Sequence, residues 1–368
     1  MAFPEAKPEA MNSSLVHAIG WFDGRFGYNV HTRNFFDNLS KLIPVAASPL
    51  FGLDGPWQED RAVLTALTKL SPRATIALLY GDMMDILDGA PGKRIAYTVW
   101  ESTEFPAGWL DKLKRADEIW IPTAWGRSVL IDNGVSASQV RIMPEGVDPD
   151  VFNPEIEPTN ALAAYEGFKF LNVGRFETRK GTELLIKSFD AEFGPDDAVR
   201  LVLSCDNHHD PDFDIGRILR GMRLQRPDRI VVIPPVRSHA RFAELYRACN
   251  AFVSPFRAEG WGLPICEAMA CALPVIATDY SGPTEFMDDS AYRVTYKLVP
   301  IEDNYYRSAA NVGGCWAEPC AQHLRKLMRE VYEDREEAAK RGRAGSRQIL
   351  GNFTWMDAAR KAMEVLSS

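Results

Sequence analysis

In the stretch "AFVSPFRAEGWGLPICEAMACALPVIATD", Glu259 and Glu267 stand eight positions apart, around Gly260-Trp261-Gly262-Leu263-Pro264. "AFVSPF" reads as an apolar strand, "RAEGWG" as a turn, and "LPICEAMACA" as a helix with Pro264 in its first turn, where proline is favoured. The free N–H groups and the dipole of such a helix start bind anions. Gly260 and Gly262 let backbone come close to a ligand. One turn inside the helix, the Glu267 carboxylate can accept two hydrogen bonds from a vicinal diol such as a ribose. The plain alternative stays open: Glu259 as a surface loop acid and Glu267 as a helix-start acid that complements the dipole.

A second stretch, "FLNVGRFETRKGTELLIKSF", sets Arg175 at the end of an apolar strand and Lys180 just before a helix. Two cations at one strand mouth suit a pyrophosphate, with arginine supplying a fork and lysine a point charge. Two solvated loop charges would read the same. The glycine patterns of nicotinamide and ATP cradles are absent.

The elements that must carry these groups alternate along the whole chain. Strands are expected at 15–20, 43–47, 75–80, 94–100, 118–122 and 140–143, with helical patterns such as "HTRNFFDNLSKL" and "PAGWLDKLKRAD" among them. This is the rhythm of βαβ units and a parallel sheet. Proline-rich "PEGVDPDVFNPEIEP" then breaks regular structure, which places a linker at about 153–167. The rhythm resumes with strands at 168–174, 200–204, 229–234, 251–254 and 274–278, and the chain closes in helices. The expectation is an α/β protein of two doubly wound, Rossmann-like domains, 1–153 and 154–352, facing each other across a cleft. Ligands of such sheets bind beyond the carboxyl ends of the strands.

Bulk composition fits this. The 368 residues are 46% hydrophobic and 25% charged, with a net charge of −8. That balance argues against a nucleic-acid binder, which needs clustered cations. The first residues hold acids and prolines and lack a signal-peptide core, so a cytoplasmic protein is expected, with peripheral membrane contact left open. Of the six cysteines, Cys266 and Cys271 read as buried hydrophobes and Cys315 and Cys320 as loop thiols. His208 and His209 in "SCDNHHDPDFD" are adjacent on a turn and define no metal-ligand spacing. His31 reads as a surface or core histidine.

Taken in order, "EGWGLPICEAMACALPVIATDYSGPTEFM", "VGRFETRKGTELLIKSF", "PEGVDPDVFNP" and "NFTWMDAARKAMEVL" resemble the motifs of the retaining family 4 glycosyltransferases (glycosyl transferases group 1), which have the GT-B fold. The resemblance covers about 140–368. It implies a nucleotide-diphosphate sugar as donor, with Arg175 and Lys180 neutralising the diphosphate as it leaves. Glu267 would hold the ribose hydroxyls and Glu259 the donor sugar. The backbone of Gly260, Trp261, Gly262 and Leu263 would meet phosphate and sugar, and the base would lie near Pro234, Pro235 and Val236. No cofactor and no metal would be needed, since cations and helix starts replace a divalent ion. The closing helix, about 353–368, would cross back to the first domain.

The first domain would supply the site for a saccharide or glycan acceptor. Gly24 and Gly27, in "GWFDGRFGYNVHTR", would form a glycine loop that lets the donor phosphate approach, or an ordinary βα turn. Relatives carry a histidine near "VWEST"; this chain has Glu101, which would orient the acceptor or stabilise positive charge on the sugar. Glu101 also reads as a helix N-terminal acid or an arginine's partner. Thr123 and Trp125 would lie near the cleft. The 293–314 insertion, rich in tyrosine, is expected to be a lid or a packing element. A GT-B phosphorylase, a nucleotide-sugar epimerase and a non-catalytic nucleotide-sugar-binding subunit remain as other readings.

Overall fold

The computed structural model describes residues 15–24, 26–50, 71–207, 210–234, 236, 238–302 and 313–367. By its internal contacts the chain divides into two compact units. The first is Met1–Gly146, Glu302–Gly314 and Trp355–Ser368; the second is Val147–Ile301 and Cys315–Thr354. The first division falls at Gly146 because Val147 donates to Phe353 O (2.9 Å) and pairs with Thr354.

The first unit holds a parallel sheet of β1 (Val16–Gly20), β2 (Val45–Pro49), β3 (Ala74–Leu78), β4 (Lys93–Tyr97), β5 (Glu118–Ile121) and β6 (Val140–Ile142), ordered β2-β1-β3-β4-β5-β6. β1, β3 and β5 are buried at every position. That is why they read as near-continuous apolar runs rather than alternations, broken only at His17, Thr75 and Glu118: helices cover both faces of a parallel sheet. The order reverses direction between β1 and β3, so loops after these strands diverge and open a crevice.

A cluster of aromatic rings helps hold this unit. Helix Gly27–Ser40 buries Val30, His31, Phe35, Phe36 and Leu39, and helix Trp355–Ser367 packs on it, with Trp355 and His31 rings 5.5 Å apart. His31 is thus a core residue. Its Nδ1 lies 3.5 Å from Glu145 and its ring is 4.5 Å from Tyr97, and burial pulls its pKa down to about 3.

The second unit repeats the plan: β7 (Phe168–Arg175), β8 (Val199–Asp206), β9 (Ile230–Val232), β10 (Ala251–Ser254), β11 (Val275–Thr278) and β12 (Tyr292–Val294), ordered β12-β11-β10-β7-β8-β9 and parallel. Its switch point lies between β7 and β10. β12 was not expected from the sequence: a single residue separates it from the next strand, so no turn signal bounds it.

The 293–314 insertion differs from a plain lid or loop where it is described. Arg293 and Val294 belong to β12, and β13 (Tyr296–Pro300) pairs antiparallel with β14 (Cys315–Pro319). Cys315 is accordingly a strand residue and Cys320 stands just before helix Ala321–Glu333, whereas Cys266 and Cys271 are buried as expected; no disulfide joins any of the six.

Among the described residues no helix is long and apolar enough to cross a membrane.

Candidate functional site

β7 and β10 flank the switch point of the second sheet, and the loops leaving them carry most of the expected site. β7 ends in Gly174-Arg175, and a 3-10 turn, Thr178–Lys180, leads into helix Thr182–Glu192. The joint is Gly181, at φ +68°; a side chain there would strike the Pro255 carbonyl, so the turn and the β10 loop approach as closely as backbones can. Beyond β10 the chain reaches Glu259, then Gly262 at φ +95°, which starts helix Leu263–Ala270 with Pro264 in its first turn. Gly262 offers no side-chain cap; Pro264 has no N–H and the Ile265 and Cys266 N–H groups donate to Gly262 O, which leaves the Leu263 N–H for another acceptor.

Glu259 is not a surface acid. It is 5% exposed, and its carboxylate is gripped from the β7 side by Lys180 Nζ on Oε1 (2.5 Å) and Arg179 Nη1 on Oε2 (3.1 Å). Its backbone N–H donates to Ser281 Oγ at 3.0 Å, and its carbonyl accepts from Gly282 N–H at 2.9 Å. Burial alone would raise its pKa, but Lys180 and Arg179 hold it below the usual carboxylate range.

Glu267 lies beyond the first turn of its helix, so it is not a dipole-complementing acid. Its Oε2 accepts a hydrogen bond from Tyr246 Oη at 3.0 Å. Burial pushes its pKa up to about 7, with the Tyr246 hydrogen bond as a partial offset.

Arg175 and Lys180 are joined to each other through carboxylates. Arg175 Nη1 meets Glu177 Oε2 (3.2 Å), Glu177 Oε1 meets Arg179 Nη2 (2.9 Å), and Arg179 passes to Glu259 and so to Lys180. The buried Nε of Arg175 has no hydrogen-bond partner among the described residues, an N–H suited to an anion.

Trp261 spends its ring on the core, 2% exposed and packed on Phe286 and Phe353 at 5.0 and 5.9 Å, so only its backbone remains for a ligand. Gly260 is buried and Leu263 half-buried beside it, and Val236 packs at the margin of the core. Pro235, His208 and His209 lie outside the described residues.

In the first unit, Gly27 is the opening residue of its helix, and a Cβ there would meet nothing within 4 Å. Glu101 follows β4, half-buried; the next helix starts only at Ala107, which removes the helix-start reading. Its charge acts on Tyr28, whose hydroxyl contacts Val99 and Thr98 in the same loop. Thr123 is taken up in capping helix Ala124–Asp132, accepting from Gly126 N–H at 3.1 Å. Gly314, from the segment after β13, seats on Ser102, Thr103 and Glu104 beside Glu101.

Sequence reasoning missed Arg179, Glu177 and Tyr246. The first two sit inside the quoted "RFETRKG" and look like ordinary loop charges. Tyr246 is 21 positions from Glu267, and nothing local pairs them. Among the described residues no group of three His, Cys, Asp or Glu is placed to hold a metal ion.

Known proteins resemble this chain in sequence and in fold. Residues 167–311 match the model of the family described as "Glycosyl transferases group 1". A D-inositol 3-phosphate glycosyltransferase of Xylanimonas cellulosilytica is 31% identical over 169 residues, 42% of this chain and 39% of that protein. The chain thus spans about two fifths of that relative's length. The alpha-maltose-1-phosphate synthase of Mycolicibacterium smegmatis is 23% identical over 309 residues, 78% of this chain and 75% of that protein. Among solved structures, Anabaena HepE in complex with UDP-glucose superposes with a TM-score of 0.71 at 15% identity, covering 96% of this chain and 99% of that one. Two six-stranded parallel sheets with this resemblance are the GT-B fold.

Proposed function

We propose that this chain, whose residues 167–311 belong to the glycosyl transferases group 1 family, is a glycosyltransferase that uses a nucleotide-diphosphate sugar and retains the anomeric configuration. The observation that carries the reading is the pairing, at one sheet switch point, of an uncapped helix start at Gly262 with Arg175 and Lys180, around a buried, ionised Glu259. A similar fold holds UDP-glucose in Anabaena HepE.

In this reading residues 154–352 bind the donor, and residues 1–153 with the closing helix bind a saccharide or glycan acceptor. The diphosphate meets Arg175 Nε, Lys180 and the helix-start N–H of Leu263. As the bond from the anomeric carbon to the diphosphate oxygen breaks, charge grows on that oxygen, and these donors stabilise it most in the transition state. The acceptor hydroxyl attacks the same face, and its proton passes to the departing phosphate oxygen, so no strong protein base is needed. Glu259 faces the sugar that moves. Glu267 takes the two ribose hydroxyls, with the base near Pro235 and Val236. Gly27 admits the donor phosphate closely, and Glu101 orients the acceptor. The cations carry the charge a divalent ion would carry elsewhere, so no metal or cofactor is used.

A thermal-shift screen of UDP- and GDP-sugars tests this, repeated in excess EDTA. A selective stabilisation by one donor, unchanged by EDTA and followed by sugar transfer, is expected. No shift with any nucleotide sugar would overturn the donor reading, and loss of transfer in EDTA the metal-free one.

A further inference from the structure

Between Arg175 and Lys180 stands a third cation that faces inward. The Arg179 side chain is 6% exposed, against 19% for Lys180 and 28% for Arg175. Both terminal nitrogens of its guanidinium are engaged on the protein's own oxygens: Nη1 donates to Ala258 O (2.6 Å) and Glu259 Oε2 (3.1 Å), and Nη2 to Glu177 Oε1 (2.9 Å). Its carbonyl accepts the Arg257 N–H at 2.6 Å, and the Arg257 side chain is itself tied to Glu318 and to Thr178 O. Arg179 therefore cannot swing out to a ligand. Lys180 can: it is a single point charge on a flexible stem, at the outer edge, resting on Glu259 Oε1.

An incoming diphosphate competes with Glu259 for Lys180. Once Lys180 moves onto it, Glu259 stays buried with Arg179 as its remaining cation. A buried carboxylate stripped of its cations takes up a proton instead of keeping its charge. The groups at the Glu259 backbone are neutral: Ser281 Oγ accepts its N–H and Gly282 N–H donates to its carbonyl, while the Ala258 carbonyl is held by Arg179. Glu177 stands one step back, on the far side of Arg179.

We propose that Arg179 is a positioning residue for Glu259: it keeps the carboxylate charged and in place while Lys180 is handed from Glu259 to the donor's diphosphate. The row Arg175–Glu177–Arg179–Glu259–Lys180 is then a relay in which the two outer cations serve the ligand and the middle one serves the protein. This rests on the donor reading above.

The test is the proton count of UDP and GDP binding, measured by calorimetry at pH 6.5 in two buffers of different ionisation enthalpy. Glu267 titrates in every variant, so the signal is the difference from wild type. Arg179→Met should bind the nucleotide within about tenfold of wild type yet take up nearly one more proton. Arg179→Lys should restore the wild-type count, and Arg179→Met combined with Glu259→Gln should lose the extra proton. A wild-type count in Arg179→Met overturns the proposal. Arg179→Gln, which keeps a hydrogen-bond donor without the charge, serves as the test should the Met variant fail to fold.

If wild type binds neither nucleotide, the donor reading fails, and a ligand-free measurement decides on Arg179 alone. The folded pKa of Glu259 is held below 4.5, so the pair's stabilisation is present above that value and lost as pH falls through the folded one. The difference in urea midpoint between wild type and Arg179→Gln should narrow on going from pH 7 to pH 3.5. A pH-independent difference would make Arg179 a packing residue only and overturn the proposal.

Discussion

Glu259 and Glu267 share one turn and helix, yet Glu259 is met by two cations and Glu267 by a phenol. Burial penalises both carboxylates. For Glu259, Lys180 and Arg179 outweigh the penalty and the group stays charged; for Glu267, a neutral hydroxyl offsets only part of it and the pKa rises to about 7. The charge state of each acid is decided across the fold by the element packed against it: the turn after β7 for Glu259, helix His239–Arg247 for Glu267. A permanently ionised carboxylate suits a place beside a reacting sugar. One that titrates near neutrality suits a diol, whose two hydrogen bonds favour its charged form.

The largest effect that would sharpen this contrast is on turnover. Glu259→Gln should lower kcat by about 10²–10³-fold while leaving UDP or GDP affinity within a few fold, as read by steady-state kinetics beside calorimetry. The reverse pattern would exchange the roles of the two acids.

Next is Glu267→Gln, which should weaken nucleotide binding by about 10–100-fold, the value of hydrogen bonds to a charged acceptor. The wild-type affinity should rise with pH through about 7, as Glu267 ionises, and the Gln variant should show no such rise. Its raised pKa also means that its contribution to stability is full below 4.5 and lost as pH climbs through about 7. The urea midpoint of wild type should fall over that window relative to Glu267→Gln.

Lys180→Met should cost stability as well as activity, because it leaves Glu259 with Arg179 alone. One partner lost from a buried ion pair costs about 3–5 kcal/mol; the surviving Arg179 contact should limit the loss to the lower end, measured by chemical denaturation.

The smallest effect is expected for Tyr246→Phe. Loss of one hydrogen bond removes about 1 kcal/mol, and the pH midpoint of nucleotide binding should move up, because the phenol partly offsets burial at Glu267. A downward move would show that Tyr246 stabilises the neutral form.

The same contrast shows how far the amino-acid order could be read. Apolar runs such as Ala251–Ser254 and Val275–Thr278 lie within a residue of where periodicity put them, since a strand buried on both faces has an unbroken apolar text. Tyr292–Val294 and the hairpin of Tyr296–Pro300 with Cys315–Pro319 escaped, the first because one residue separates it from the next strand and no turn bounds it, the second because a long connection separates its two strands. In the site, Arg175, Lys180, Glu259 and Glu267 were legible by type and spacing. Arg179 was not, because two adjacent cations on a loop look alike until packing turns one inward.

By itself the sequence determined where most strands of the two parallel sheets run, which loops hold cations and acids, and that a proline-led helix starts between the two glutamates. These follow from period, turn chemistry and spacing, which act over a few residues. The tertiary structure alone decided which acid stays charged. Ionisation in a protein interior depends on lost solvent and on the charges that distant segments bring near, and Lys180 reaches Glu259 across 79 positions of chain.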